Sequence, residues 1–396
     1  MNRAISVTPT EIPAAGPGSS CGASRRLDVV APRSPVPDLL FEDVREQRVE
    51  DLLPFAEDPF LVDSAVAIHR VTVFLTYRCN LECPYCKTIV RTPADLSARP
   101  QRGESYDLES FRTMLAAHGE TPIEHLHFTG GEASLVRDLP EMVRFAKARG
   151  VLRTSITSNG TRSPDTYLRL VEAGIDEIRI SVDAADAAQG QRHTRRAGAW
   201  SKSIETVRAL GAARREGRPF FLILNTVVTK ENRAELDAIV AFLLDLGPDD
   251  VKLITEVDAK GELASFAERD RVVRAIERRL EAAPRDRYPL LRMKLSTVFA
   301  PDAIGLDGEA APAGKAWRCY VPLTERTVDG VYYYPCSVWL REGGPPLGRV
   351  DEDHSVQRRK LAAFTARGDC LAGAICSRYC LHCTRAFNAR VNEERR

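Results

Sequence analysis

Between residues 70 and 256 the chain alternates short, β-rich apolar runs with segments of helical spacing, and that alternation leaves few folds open. Val71–Tyr77, His125–Thr129, Thr154–Ser158, Glu177–Asp183, Phe220–Thr229 and Val251–Thr255 read as strands. Leu108–His118, Asp138–Gly150, Ser163–Gly174, Ser201–Glu216 and Arg233–Asp245 read as the helices between them. Asp138 and Glu141 open one helix and Gly150 closes it, while Ser163 stands as a cap before Pro164 at a first helical position. Strand–helix units in series give a parallel sheet with right-handed crossovers. The expected closure is an α/β, partial (β/α)6 TIM-like barrel, with ligands at the carboxyl ends of its strands. In 177–183, Ile178, Ile180 and Val182 alternate with Arg179, Ser181 and Asp183. One face can pack on helices, and the other carries polar groups toward a lumen ligand.

The flanks read differently. Residues 1 to about 38 are rich in Pro, Gly, Ser and Ala without periodicity, the composition of a disordered leader. Residues 39–66 read as linker with room for one or two helices. Ala264–Ala283 reads as a helix, 284–318 as irregular, and Thr327–Tyr334 as a hairpin turning at Asp329-Gly330. The expected division is a leader over 1–66, a barrel core over 67–260, a connecting helix and linker over 261–318, and a cysteine-rich region over 319–396. No run of 18 apolar residues is present, so no membrane span is expected. The N-terminus lacks the apolar stretch of a secretory signal, and none follows Ser24-Arg25-Arg26, so the expected location is cytoplasmic. The formal net charge of +1 argues against nucleic acid as the main partner.

In a reducing compartment, clustered cysteines point to metal or redox chemistry rather than disulfides, and nine of the ten here fall in two groups, with Cys21 alone in the leader. Cys79, Cys83 and Cys86 form C-x3-C-x2-C directly after the first strand. Three thiolates on one loop can hold three irons of a cubane cluster and leave the fourth iron open, as a catalytic metal centre requires. A zinc knuckle is the alternative, but only His69 and His118 lie near enough in sequence to complete it, both awkwardly. Gly130, Gly131 and Glu132 follow the second strand. Paired glycines permit close approach of a ligand, and the Glu offers an acceptor for a cationic amine. Ser158 and Asn159 follow the third strand, with hydroxyl and amide groups suited to ribose or carboxylate contacts. Ordinary turns would use the same residues. Their shared place at carboxyl ends of successive strands makes all three motifs converge on one mouth.

In this order and at these positions, the motifs resemble the radical S-adenosylmethionine (SAM) superfamily over roughly residues 68–256, with Ala133 where many members have Pro. The resemblance implies that Cys79, Cys83 and Cys86 ligate a SAM-binding [4Fe–4S] cluster whose open iron SAM chelates. It implies that Glu132 accepts from the SAM amine with Gly130 and Gly131 lining it. Ser158 and Asn159 would lie near the ribose or carboxylate, Ser181 and Asp183 on the lumen face, and Arg196 or Arg195 against the SAM carboxylate. Tyr85 would shield the cluster or pack on adenine. The cofactor then supplies a radical that abstracts hydrogen from a substrate C–H bond.

Cys319, Cys336, Cys370, Cys376, Cys380 and Cys383 crowd the last 80 residues. A hairpin cysteine pair joined by a later C-x2-C is similar to a twitch auxiliary-cluster subdomain, and the longer SPASM pattern is matched only in part. The resemblance implies one auxiliary [4Fe–4S] cluster on Cys319, Cys336, Cys380 and Cys383, so that the barrel carries a small C-terminal cysteine-rich auxiliary-cluster subdomain. Cys370 or Cys376 would substitute for one ligand or stand as a hydrogen donor. A zinc site, with His354 or His382 as alternative ligands, is the competing reading. The function expected first is dehydrogenation or epimerisation of a small carbohydrate-like or natural-product substrate. The alternatives are a maturase of a ribosomally made peptide and a non-enzymatic iron–sulfur or zinc scaffold. A flavodoxin or ferredoxin-type protein is the electron donor that the family resemblance implies.

Overall fold

The computed structural model describes residues 49–62, 66–86, 106–256, 266–298, 317–380 and 382–394. The expected leader through residue 48 lies outside them. Six parallel strands form where the sequence predicts: β1 (Arg70–Phe74), β2 (His125–Thr129), β3 (Arg153–Ser158), β4 (Glu177–Ser181), β5 (Phe221–Val228) and β6 (Asp250–Thr255). Helices α1 (Leu108–Ala117), α2 (Leu139–Ala148), α3 (Pro164–Glu172), α4 (Ala187–Thr194), α5 (Ala199–Arg215), α6 (Leu236–Asp245) and α7 (Arg269–Glu281) follow or separate them. Val71 and Val73, Leu126 and Phe128, Ile178 and Ile180, and Leu222 and Leu224 are buried together with the apolar faces of these helices in one core. The two-residue strand period sends the alternate side chains to the other face. There Ser155, Glu177, Arg179 and Asn225 are buried polar groups.

The sheet is open rather than a closed barrel. Its nine strands run β6-β5-β4-β3-β2-β1-β7-β8-β9, so its two edges are different strands. The last three are β7 (Glu325–Asp329), β8 (Tyr332–Tyr334) and β9 (Gly348–Arg349). The predicted hairpin at Asp329-Gly330 is β7–β8, with Gly330 at φ 55°. It does not stand apart from the barrel. β7 pairs parallel with β1 from Arg70↔Glu325 to Phe74↔Asp329. A strand from beyond residue 319 thus completes the edge that carries the first cysteine loop.

Three local expectations are corrected. Neither Asp138 nor Ser163 makes a side-chain cap bond, although Pro140 and Pro164 occupy the first helical turns. Asp107 and Asp186 cap α1 and α4 instead. The stretch 284–318 contains a helix, α8 (Pro289–Val298). Asp250 on β6 nucleates it from a distance, its carboxylate accepting from Leu290 N at 2.8 Å and Leu291 N at 3.2 Å. The tail forms α9 (Ser337–Arg341), α10 (His354–Ala366), α11 (Ala374–Tyr379) and α12 (His382–Glu394). No helix among the described residues is long and apolar enough to cross a membrane.

Candidate radical SAM site

The loop that leaves β1 reaches Cys79 by running across the Gly130-Gly131 turn. Gly131 N donates to Thr76 O at 2.5 Å, and Glu132 N to Arg78 O at 2.8 Å. A Cβ on Gly130 would lie 2.3 Å from Thr76 O, and one on Gly131 would lie 2.3 Å from Arg78 O. Gly130 also holds φ 137°, which favours glycine. The close approach these glycines permit is therefore made by the chain's own cysteine loop.

Glu132 is buried and turned into the protein. One carboxylate oxygen accepts from Ser134 N at 2.9 Å and Ser158 Oγ at 2.7 Å, and the other accepts from Asn159 N at 2.7 Å. Ser158 is buried as well, its hydroxyl shared with Tyr167 Oη at 2.7 Å and accepting from Gly160 N at 3.1 Å. The side chains of Glu132 and Ser158 thus join the ends of β2 and β3. Of the two β3-end residues, Asn159 is the one that faces the cysteines. Its Nδ2 donates to Asn80 Oδ1 at 2.8 Å and points at Cys79 Sγ at 3.8 Å. Its Oδ1 accepts from Thr161 N at 3.0 Å and Thr161 Oγ1 at 2.7 Å, and Asn80 Nδ2 donates to Thr161 Oγ1 at 2.7 Å. Asn80 and Thr161 were missed in the sequence, because nothing in their spacing announces a network that closes only when the loops meet.

Cys79, Cys83 and Cys86 are half-buried. Burial pushes the Cys79 thiol up to about 11 and the Cys83 thiol up to about 12, with the Glu132 and Asp183 carboxylates adding to the effect respectively. The Tyr85 hydroxyl lies beside Cys83 and donates to Asp183 Oδ2. Asp183 is buried, accepts from Val227 N at 2.7 Å through its other oxygen, and is held above the usual carboxylate range by burial. Ser181 is half-buried in register with Asn225. Arg195, in the left-handed region at φ 53°, and Arg196 are exposed just past α4. The neighbouring Thr194 carbonyl accepts from Glu82 N at 3.1 Å, so this turn abuts the cysteine loop. Three half-buried thiols on one loop, with an amide N–H directed at one of them, form a donor set that fits an iron–sulfur cluster.

The second cysteine group is also gathered in space. Cys370, Cys380, Cys336 and Cys376 all act electrostatically on the Cys319 thiol, which burial holds well above the ordinary value. Asn388 Nδ2 donates to Cys319 Sγ at 3.5 Å and Trp339 N to Cys336 Sγ at 3.4 Å. Cys370 and Cys376 therefore stand with the expected set of Cys319, Cys336 and Cys380. Cys383 lies on α12, and its side chain falls outside the described residues, as does that of His382. His354 pairs instead with Arg358. No three His, Cys, Asp or Glu among the described residues are arranged about one single-ion position. The two groups are joined through the sheet. Tyr77 Oη donates to Asp329 Oδ2 at 2.8 Å, and Phe74, Tyr77, Tyr334 and Leu340 pack as one cluster with Tyr332 and Trp339 against it. Half-buried Arg341 is acted on electrostatically by both Cys336 and Cys86.

Comparison with known proteins agrees with this geometry. Residues 73–243 match the radical SAM superfamily. The chain is 33% identical over 184 residues to the PqqA peptide cyclase of Xanthomonas campestris pv. campestris (strain B100), a match covering 46% of each chain. It is 33% identical over 162 residues to the PqqA peptide cyclase of Granulibacter bethesdensis, covering 41% of this chain and 40% of that one. The chain thus spans about half the length of the curated relatives it matches. Among solved structures it resembles Streptococcus suis SuiB bound to precursor peptide SuiA, with TM-score 0.55 and 14% identity over 83% of this chain and 70% of that one. It also resembles anSMEcpe with bound AdoMet, with TM-score 0.51 and 14% identity over 82% and 96%. The cofactors of such a fold family are a [4Fe–4S] cluster and SAM. Residues 73–243 are thus similar to a radical SAM domain, and a cysteine-rich C-terminal region follows them.

Proposed function

We propose that this chain is a radical SAM enzyme that modifies a peptide. The observation that carries the reading is the 33% identity to PqqA peptide cyclases over 184 residues. It favours a peptide over the small carbohydrate-like substrate expected first from the sequence. Cys79, Cys83 and Cys86 would hold the [4Fe–4S] cluster, and SAM would bind its open iron. When bound, the pair supplies a 5′-deoxyadenosyl radical that removes a hydrogen atom from the substrate.

The chain's own residues set the conditions for that chemistry. Glu132 fixes the Ser158–Asn159 turn through its three hydrogen bonds, and Asn159 directs an N–H toward the Cys79 sulfur. Gly130 and Gly131 present backbone to the cysteine loop, and Asp183 with Tyr85 anchors the loop near Cys83. Ser181 would face the lumen, and Arg196 or Arg195 would pair with the SAM carboxylate. Cys319, Cys336, Cys380 and Cys383 would hold an auxiliary [4Fe–4S] cluster, with Cys370 or Cys376 replacing one of them or serving as a hydrogen donor. A flavodoxin or ferredoxin would deliver the electron.

The test is anaerobic reconstitution with an iron and sulfide count, then dithionite and SAM with candidate peptides, read by mass spectrometry. We expect 5′-deoxyadenosine together with a peptide mass change. Cys79→Ala abolishes both, and Cys380→Ala keeps cleavage of SAM but loses the peptide product. SAM cleavage coupled to a small polyol, with every peptide left unmodified, would overturn the peptide reading. Absence of cleavage in cluster-loaded protein would overturn the enzyme reading itself.

A further inference from the structure

On the face of β7 away from the cysteines, the fold buries a guanidinium to which no carboxylate bonds among the described residues. Arg326 is 1% exposed. Around it stand His118 at the end of α1, His354, Gln357 and Arg358 on α10, and Tyr333 on β8, all buried. Strand alternation places Arg326 on the same face as Val328, and Val328 is paired with Tyr333.

The hydrogen bonds here fix the proton positions. His118 Nδ1 lies 2.7 Å from Met114 O, so that nitrogen carries the proton, and Nε2 accepts from Arg326 Nη1 at 3.3 Å. Arg326 Nη1 also donates to Gln357 Oε1 at 3.0 Å. His354 Nε2 accepts from Arg358 Nε at 2.7 Å, so the proton of this neutral ring sits on Nδ1. Arg326 Nε and Nη2, His354 Nδ1 and the Tyr333 hydroxyl are buried with no hydrogen-bond partner among the described residues. The first three are N–H donors, and the fourth can donate. The acids at the start of α10 bond to other groups, Glu352 to Lys360 at 2.6 Å and Asp353 to Ser355 N at 2.8 Å, with the Glu352 carboxylate also acting electrostatically on the Tyr333 hydroxyl. Burial and the Arg358 charge lower Arg326 to about 9, and burial with both guanidiniums lowers His354 to about 3, as a cationic enclosure requires.

We propose that Arg326, His354 and Tyr333 form a buried site for a small monovalent anion of the halide type, placed between the sheet and α10. An orphaned set composed of donors calls for an acceptor, and a buried guanidinium calls for a negative one. Water can accept the hydrogen bonds but leaves the charge uncompensated. A spherical ion accepts from several directions and brings no protons of its own. The site ties α10, in the cysteine-rich tail, to α1 and β7 of the sheet, and it is independent of the proposed reaction.

The test uses the full, cluster-reconstituted chain under anaerobic conditions. Thermal unfolding is followed in sodium chloride, sodium bromide and sodium gluconate at equal ionic strength, and crystals are soaked in bromide for anomalous scattering. The expected result is a saturable rise in Tm in both halides but not in gluconate. A bromide peak should lie within hydrogen-bond distance of Arg326 and His354. Arg326→Met loses the rise. Tyr333→Phe, which leaves the guanidinium in place, shifts its saturation to higher halide. Equal Tm in all three salts, no bromide peak at Arg326, or an undiminished halide response in Arg326→Met would overturn the proposal.

Discussion

At the scale of single residues, the site is governed by contacts within the protein that a motif does not display. Glu132 reads in the sequence as an acceptor for a ligand amine, yet its carboxylate takes three donors from the chain. Glu132→Gln leaves at least one of Ser134 N, Ser158 Oγ and Asn159 N facing an amide NH2. The expected cost is about 1–3 kcal/mol, read as a lower urea midpoint at unchanged slope. An unaltered midpoint would show that the network does not hold the turn. Gly131→Ala is harsher, because its Cβ would meet backbone, Arg78 O at 2.3 Å and Arg78 C at 2.8 Å. The cysteine loop must then move. Iron at the first site should be lost while about four irons remain at the second. Iron counted per chain decides the matter, and full loading of the variant would refute this account of the glycine.

At the scale of elements, the two cysteine groups are one construction because β7 lies on β1. A chain ending at residue 316 would leave β1 with an open edge and remove Tyr334 and Leu340 from the cluster holding Phe74 and Tyr77. The expected outcome is aggregation, seen by light scattering, and lost amide protection over Val71–Phe74. A monomeric truncated chain with full protection there would show that the pairing is dispensable. The sequence revealed the six core strands because Val, Ile and Leu recur on the helix-facing side at period two. It revealed the hairpin because Asp-Gly marks a tight turn. It could not reveal which edge receives β7, since parallel pairing joins residues about 255 apart (Arg70 with Glu325) and leaves no local trace. Helix α8 escaped for the same reason, its first turn being capped by Asp250 from another element. At the site, cysteine spacing was legible, whereas the Asn80–Asn159–Thr161 network needed the loops brought together.

At the scale of the whole molecule, burial of neutral histidines makes stability depend on pH. His354 is lowered to about 3, and His118 and His125 well below the ordinary value, in each case first by burial and then by neighbouring guanidiniums. In the unfolded chain the same rings titrate near ~6.5. Between the folded and unfolded values the unfolded state binds more protons, so stability rises with pH. It is fully present above about 6.5 and is lost as pH falls toward 3. Each ring contributes at most about 1.4 kcal/mol per pH unit in that window. Between pH 6.5 and 5 most carboxylates stay ionised in both states, so the histidines dominate the slope there. His354 faces Arg326, Arg358 and His118 from β7, its own helix and α1, and no acid bonds to it among the described residues. Urea midpoints in halide-free buffer should therefore fall on going from pH 7 to pH 5, and His354→Phe should remove one proton from the linkage slope. A stability that is flat across that interval would mean that these rings are protonated in the fold, and the neutral tautomers that define the anion site would fall with it.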